Sequence, residues 1–243
     1  MKSIFNFNED DGHIRVYSND GGTVVSSNGF GYTREMNKLY KGEKYLILGG
    51  GIGWQAYHLS AVVSERDPLI SEAKIVSVEK DSGMFSRTLE ANSIINIRFI
   101  HDDAFDYIRN CPKFDTVFID MFENDRHSIV FNFEDFKYLF NKSKRIVVHV
   151  VTRKDLLRYL NYGRSLKTNM LINAELFGLY STYLTKDITV GSGGAIICFD
   201  KELEESHANS NRKLFIGFDN IYHNSTGVYP LDFVTFNYKK LGE

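Results

Sequence analysis

The residues best suited to chemistry gather around a run of glycines. Leu48-Gly49-Gly50-Gly51-Ile52-Gly53 directly follows the apolar stretch Tyr45-Leu46-Ile47-Leu48. Glycine is needed where a chain turns sharply and a ligand must approach the backbone with no Cβ in the way. Gly49, Gly51 and Gly53 have GxGxG spacing. A dinucleotide fingerprint would put its third glycine where Trp54 stands, so NAD is disfavoured. By itself such a loop is equally a tight strand-to-helix turn that holds nothing.

Acidic residues at the ends of the next three apolar runs narrow the choice. Glu79 closes Ile75-Val76-Ser77-Val78, the place from which a carboxylate accepts the two ribose hydroxyls of a nucleoside. Asp103, in His101-Asp102-Asp103-Ala104 after the third run, is placed to receive an adenine amino hydrogen. Asp120 follows Phe114–Ile119 and is expected at the mouth of the cleft. One Asp after a strand is ordinarily a turn or a helix cap. Four strands in series, each ending in the residue type a bound nucleoside requires, point to an adenosyl-sulfonium nucleotide: S-adenosylmethionine or its decarboxylated form.

These residues need parallel strands to bring them to one edge. Besides Tyr45–Leu48, Ile75–Val78, Ile97–Ile100 and Thr116–Ile119, a fifth buried strand is expected at Arg145–Val151. Helices are expected near Tyr32–Tyr40, Trp54–Val63, Gly83–Asn92, Ala104–Asn110, Glu134–Phe140 and Asp155–Leu166. Alternation at this spacing predicts an α/β fold: a Rossmann-like doubly wound sheet of the class I methyltransferase type. Two late strands, near Leu176–Leu184 and Gly194–Phe199, would form the closing antiparallel pair of that variant. Ahead of the sheet, Ile14–Ser18 and Thr23–Ser26 flank Asn19-Asp20-Gly21-Gly22, a hairpin turn signal. The expected organisation is an N-terminal β-hairpin subdomain over 1–36, a nucleotide-binding catalytic domain over 37–200, and an aromatic-rich extension over 201–243 packed on the body.

Composition bounds the function. A formal net charge of -2 over 243 residues argues against a polyanion partner, because neutralising phosphates requires clustered excess Lys and Arg. Cys111 and Cys198 form no CxxC, so neither a disulfide framework nor a structural zinc is expected. The first ten residues turn acidic at once, unlike a signal peptide. No apolar run approaches the roughly 18–20 residues of a membrane span. The expectation is a cytoplasmic protein that engages neither membrane nor nucleic acid, with a homodimer left open.

Taken together, the motifs resemble the polyamine aminopropyltransferases, the spermidine synthases. Phe30-Gly31-Tyr32-Thr33-Arg34-Glu35-Met36 is similar to that family's F-x-Y-Q-E-M helix start, with one extra residue. Ile47–Gly53 is similar to its I-x-G-G-G-D-G loop, Val78-Glu79-Lys80-Asp81 to V-E-I-D, and Asp103-Ala104-Phe105 to its G-D-A/G-F turn. Tyr222-His223 through Val228-Tyr229-Pro230 keeps the family's His-to-Pro spacing. The resemblance implies that Asp120 orients and deprotonates an acceptor amine, with Glu123, in place of the second Asp of D-x-x-D, steering its charge. An ammonium is not a nucleophile, so a carboxylate must help remove a proton before attack. A second reading makes Glu123 and Asp125 caps of the next helix.

Three departures bear on the substrate. Ile52 stands where the family's loop carries an Asp that holds the amino end of the decarboxylated nucleotide and would repel a carboxylate. Thr33 and Val190 stand where the family has acceptor-holding Gln and Tyr. Intact S-adenosylmethionine becomes admissible, and putrescine specificity is not expected.

The leading expectation is therefore a transferase moving a methyl or related alkyl group from S-adenosylmethionine to a small amine or polar metabolite. Aminopropyl transfer and a non-catalytic nucleotide-binding module are the alternatives. Trp54 and His58 read first as packing residues, and Tyr180 and Tyr183 as core. Asp120, Glu123 and His127 lack the further carboxylate–Asn pair of metal-dependent methyltransferases, so no metal is expected.

Overall fold

The structure is a computed structural model describing residues 5–8, 13–17, 24–26, 30–66, 74–90, 97–124, 127–150, 153–173, 195–204 and 213–216. The chain divides into two compact units, Met1–Cys111 and Pro112–Glu243.

The first unit opens with a three-stranded antiparallel sheet of β1 (Phe5–Asn8), β2 (His13–Tyr17) and β3 (Val24–Ser26), in that order. Val16 faces Val25 across the expected hairpin, whose turn lies outside the described residues. Helix α1 (Phe30–Asn37) leads into β4 (Lys44–Leu48), α2 (Trp54–Arg66), β5 (Lys74–Glu79), α3 (Ser82–Glu90), β6 (Ile97–His101) and α4 (Ala104–Asn110). Strands β4, β5 and β6 are parallel and adjacent in chain order, Leu48 lying beside Val78 and Glu79 beside His101. Tyr45 through Leu48 are fully buried, as a continuous apolar run flanked on both faces requires. Each parallel connection passes through a helix because two parallel strands cannot be joined by a tight turn.

The second unit contains β7 (Phe114–Ile119), the short hairpin β8 (Phe122–Asn124) and β9 (His127–Ser128), α5 (Phe133–Asn141), β10 (Ser143–Val150), α6 (Arg153–Leu166), β11 (Asn169–Asn173), β12 (Ala195–Asp200) and β13 (Lys213–Ile216). Its main strands lie in the order β7-β10-β12-β11-β13. β10 is parallel to β7, while β12 runs antiparallel between β10 and β11. One ion pair fastens this reversed strand. Arg145 Nη2 and Nε lie 2.7 and 2.8 Å from Asp200 Oδ2, and the two residues are direct cross-strand partners. Over this sheet Phe136 packs edge to face with both Tyr159 and Phe199, which are tilted to one another.

The reversed strand was expected, but its partner lies elsewhere. β11 at Asn169–Asn173 pairs with β12, whereas the stretch Leu176–Leu184 falls outside the described residues. Glu123, whose alternative reading was a helix cap, lies in β8, and Asp125 falls outside the described residues. Helix α5 is capped by Asn132, whose side chain accepts from the Asp135 N–H. β13 pairs with β11, and residues 205–212 and 217–243 of the C-terminal extension are outside the described residues.

Candidate functional site

In the first unit the end of β5 holds the glycine loop in place. Val78 O accepts from the N–H groups of both Gly49 and Gly50, at 3.1 and 2.9 Å. The next N–H, that of Gly51, donates to Glu79 Oε2 at 2.7 Å. The Gly51 carbonyl in turn accepts from Thr88 Oγ1 at 3.1 Å, a hydroxyl also within reach of Met84 O. The Gly51 residue is thus pinned through both its N–H and its C=O.

The three glycines singled out by spacing all have positive φ: 85° at Gly49, 53° at Gly51 and 84° at Gly53. Their needs differ. A Cβ on Gly53 would meet Phe99 Cε1 at 2.9 Å and Thr88 Cγ2 at 3.0 Å, so this glycine permits close packing of helix on sheet. A Cβ on Gly51 would meet nothing within 4 Å. There the backbone faces open space, as a ligand cradle requires. Gly50, absent from the spacing argument, sits against Ser77, whose side chain a Cβ would strike.

Glu79 is half-buried, with Oε1 accepting from the Asp81 N–H at 2.8 Å. Burial pushes its carboxyl above its ordinary value, against the backbone N–H groups of Asp81, Gly51 and Lys80, which pull it down. A carboxylate has about four acceptor sites, more than these three N–H groups use, so acceptor capacity remains for a ribose hydroxyl. Asp103 is engaged differently. Its Oδ1 caps α4 by accepting from the Phe105 N–H at 2.8 Å, and Oδ2 lies 2.7 Å from Lys80 Nζ. The Lys80 ammonium, donating to it, holds this carboxyl below the usual range. Asp81 caps α3 through Met84 N, and Asp102 Oδ1 accepts from Asp103 N. Beside them Phe85 stacks on His101, ring centroids 5.0 Å apart.

Ile52 and Trp54 are half-buried. Thr33 is buried on α1, one turn before Asn37, whose Nδ2 lies 2.9 Å from His58 Nδ1. His58 therefore belongs to a half-buried polar contact between α1 and α2.

In the second unit Asp120 directly follows β7. Its Oδ1 lies 2.8 Å from Nδ1 of His149 on β10. The parallel register explains the meeting: Ile119 is beside Val148, so the residue after each is brought to its neighbour. His149 is 8% exposed and Asp120 21%. The β8–β9 hairpin turns Phe122 edge-on to the imidazole, centroids 5.1 Å apart. Glu123 lies in β8, two residues past Met121. Sequence reasoning passed over His149, Thr88 and Ser77. The one available signal was a lone His inside the apolar run Ile146–Val151. Among the described residues no group of three or more His, Cys, Asp or Glu is placed to hold a metal ion, and no helix is long and apolar enough to cross a membrane.

No family model and no curated protein matches this sequence. Solved structures do match its fold. A precorrin-6y C5,15-methyltransferase from Geobacter metallireducens is 16% identical over 74% of this chain and 92% of its own, with a TM-score of 0.50. A Listeria monocytogenes protein assigned as an S-adenosylmethionine-dependent methyltransferase is 11% identical over 72% of this chain and 100% of its own, with a TM-score of 0.51. At such identities the likeness is one of fold, and the fold is the Rossmann-like α/β arrangement of class I methyltransferases.

Proposed function

We propose that this chain is an S-adenosylmethionine-dependent transferase that moves a methyl or related alkyl group to a small amine or polar metabolite. The observation that carries the reading is the loop at Gly51: pinned by Glu79 and Thr88, with open space where a side chain would project. The similar solved structures, one a precorrin methyltransferase and one assigned as S-adenosylmethionine-dependent, support the same nucleotide. When bound, it supplies a carbon activated by a sulfonium.

The residues of this chain then divide the work. Gly49, Gly51 and Gly53 give the nucleotide its backbone cradle, and Glu79 accepts from the ribose with its remaining acceptor capacity. Asp103 marks the adenine end. Because its oxygens serve the α4 cap and Lys80, an adenine amino group would have to share them. Ile52 neither repels the methionine carboxylate nor attracts an aminopropyl ammonium. Asp120 binds the acceptor and takes its proton, since an ammonium has no lone pair to donate until it is deprotonated. Glu123 draws a cationic acceptor toward it.

Titrating the wild type with S-adenosylmethionine and with its decarboxylated form, at one ionic strength, tests the reading. The intact nucleotide is expected to bind at least as tightly, and Ile52→Asp to shift preference toward the decarboxylated form by about one to two decades, the scale of a partly screened charge pair. S-adenosylhomocysteine release is then followed with ethanolamine and putrescine as probe amines. A preference of about tenfold or more for the decarboxylated nucleotide would replace this reading with aminopropyl transfer, which the motif resemblance supports. Binding of neither nucleotide would overturn it altogether.

A further inference from the structure

A histidine near the end of a buried strand needs a reason. Ile146, Val147, Val148 and Val150 around His149 are at most 1% exposed, and a polar ring buried among them is unfavourable unless it is hydrogen-bonded. What answers it is Asp120. An ionised carboxylate only accepts hydrogen bonds, so the proton between them belongs to Nδ1 of His149. An N–H directed at a carboxylate is among the stronger hydrogen bonds available to a neutral side chain. It also has a geometric effect: Oδ1 is held, the carboxylate plane is fixed, and Oδ2 is the oxygen His149 does not engage. The edge-on Phe122 ring limits rotation of the imidazole in turn.

We propose that His149 is a positioning residue for Asp120, holding the carboxylate so that Oδ2 meets the proton of the acceptor. The order of the pair matters. The carboxylate is the outer, more exposed member and the imidazole the inner one, so the histidine acts through Asp120 and does not touch the acceptor. This inference rests on the reading of Asp120 as the acceptor's base.

Two measurements test it. Nitrogen-15 spectra of the histidine side chains, with His149 assigned through His149→Asn, are expected to show a protonated Nδ1 in the wild type and a changed tautomer balance in Asp120→Ala. An unprotonated Nδ1, or a signal unmoved by Asp120→Ala, would overturn the pairing whether or not any acceptor is turned over. With whichever probe amine reacts, ethanolamine or putrescine, His149→Leu is expected to lower kcat by about ten- to a hundredfold, the scale of a misplaced reacting group. The S-adenosylmethionine Kd should stay within about twofold, far short of a decade in affinity. His149→Asn, whose amide nitrogen falls near Nδ1, should recover part of the loss. Unchanged kcat in a folded His149→Leu would refute the positioning role. Failure of the wild type to bind S-adenosylmethionine would instead refute the nucleotide reading, while the spectra still decide the pair.

Discussion

Replacing Glu79 by Gln separates the loop's needs from those of the fold. In the wild type both carboxylate oxygens face backbone N–H donors, Gly51 at 2.7 Å and Asp81 at 2.8 Å. A side-chain amide has one oxygen and one NH2, so whichever way it turns, one of those donors meets another donor. The lost bond to a charged acceptor is worth about 1.5–3 kcal/mol. Against this, burial already disfavours the ionised carboxyl, and the amide escapes that penalty. Global stability should therefore change by no more than about 1 kcal/mol, while S-adenosylmethionine affinity falls by about one to two decades. The pH dependences should oppose each other. Because the folded carboxyl titrates above its ordinary 4.5, between those two values the native state holds a proton the unfolded chain has lost. This contribution to stability is present below 4.5 and declines as pH rises through the folded value. Nucleotide affinity should rise through the same window, as the acceptor of the ribose hydroxyls becomes ionised. Calorimetric titration and thermal unfolding across that window, on wild type and Glu79→Gln, read both trends. Wild-type affinity in the variant, or affinity flat with pH in the wild type, would refute the role given to Glu79.

Three further outcomes are expected. Gly53→Ala combines a disfavoured φ, about 1–2 kcal/mol, with overpacking against Phe99 and Thr88 of about 1–3 kcal/mol; a thermal midpoint unchanged from wild type would contradict the tight fit. Asp103→Asn should keep the α4 cap and change stability by less than about 1 kcal/mol, because its partner Lys80 is largely exposed. Asp103→Ala should lose about 0.5–2 kcal/mol with the cap; equal denaturant midpoints for the two variants would argue that the cap contributes nothing. Asp200→Ala leaves the Arg145 guanidinium buried beside an empty partner position and should lose about 3–5 kcal/mol in urea unfolding.

The parts of the molecule legible in the sequence are those whose signal is local. Glycines at 49, 51 and 53 in a strand-to-helix turn point to positive φ, and the helix expected near Ala104–Asn110 is found at those residues. β11 escaped because only Met170, Leu171 and Ile172 are apolar and Asn stands at either end, a pattern closer to a turn than to a strand. Thr88 and His149 escaped for another reason. Their partners, Gly51 and Asp120, lie 37 and 29 residues away, and nothing in a hydroxyl or an imidazole tells which distant carbonyl or carboxylate it will meet. Asp103 is a similar case, since nothing local to it announces the ammonium of Lys80, 23 residues earlier, beside its carboxylate.

The reversed strand has a consequence for how the chain is made. β10 and β11 run in the same direction, each antiparallel to β12 between them. The ribosome finishes both before β12 exists, and Ala195–Asp200 emerges some fifty residues after Val150. At about 5–20 residues per second that is an interval of several seconds, against microseconds for apolar collapse. During it the Val- and Ile-rich edge of β10 waits for β12, and a premature parallel pairing with β11 would have to open again to admit that strand. A nascent chain halted before Ala195 should therefore be the most aggregation-prone form this protein takes, and it is β12, made after both of its neighbours, that seals the edge.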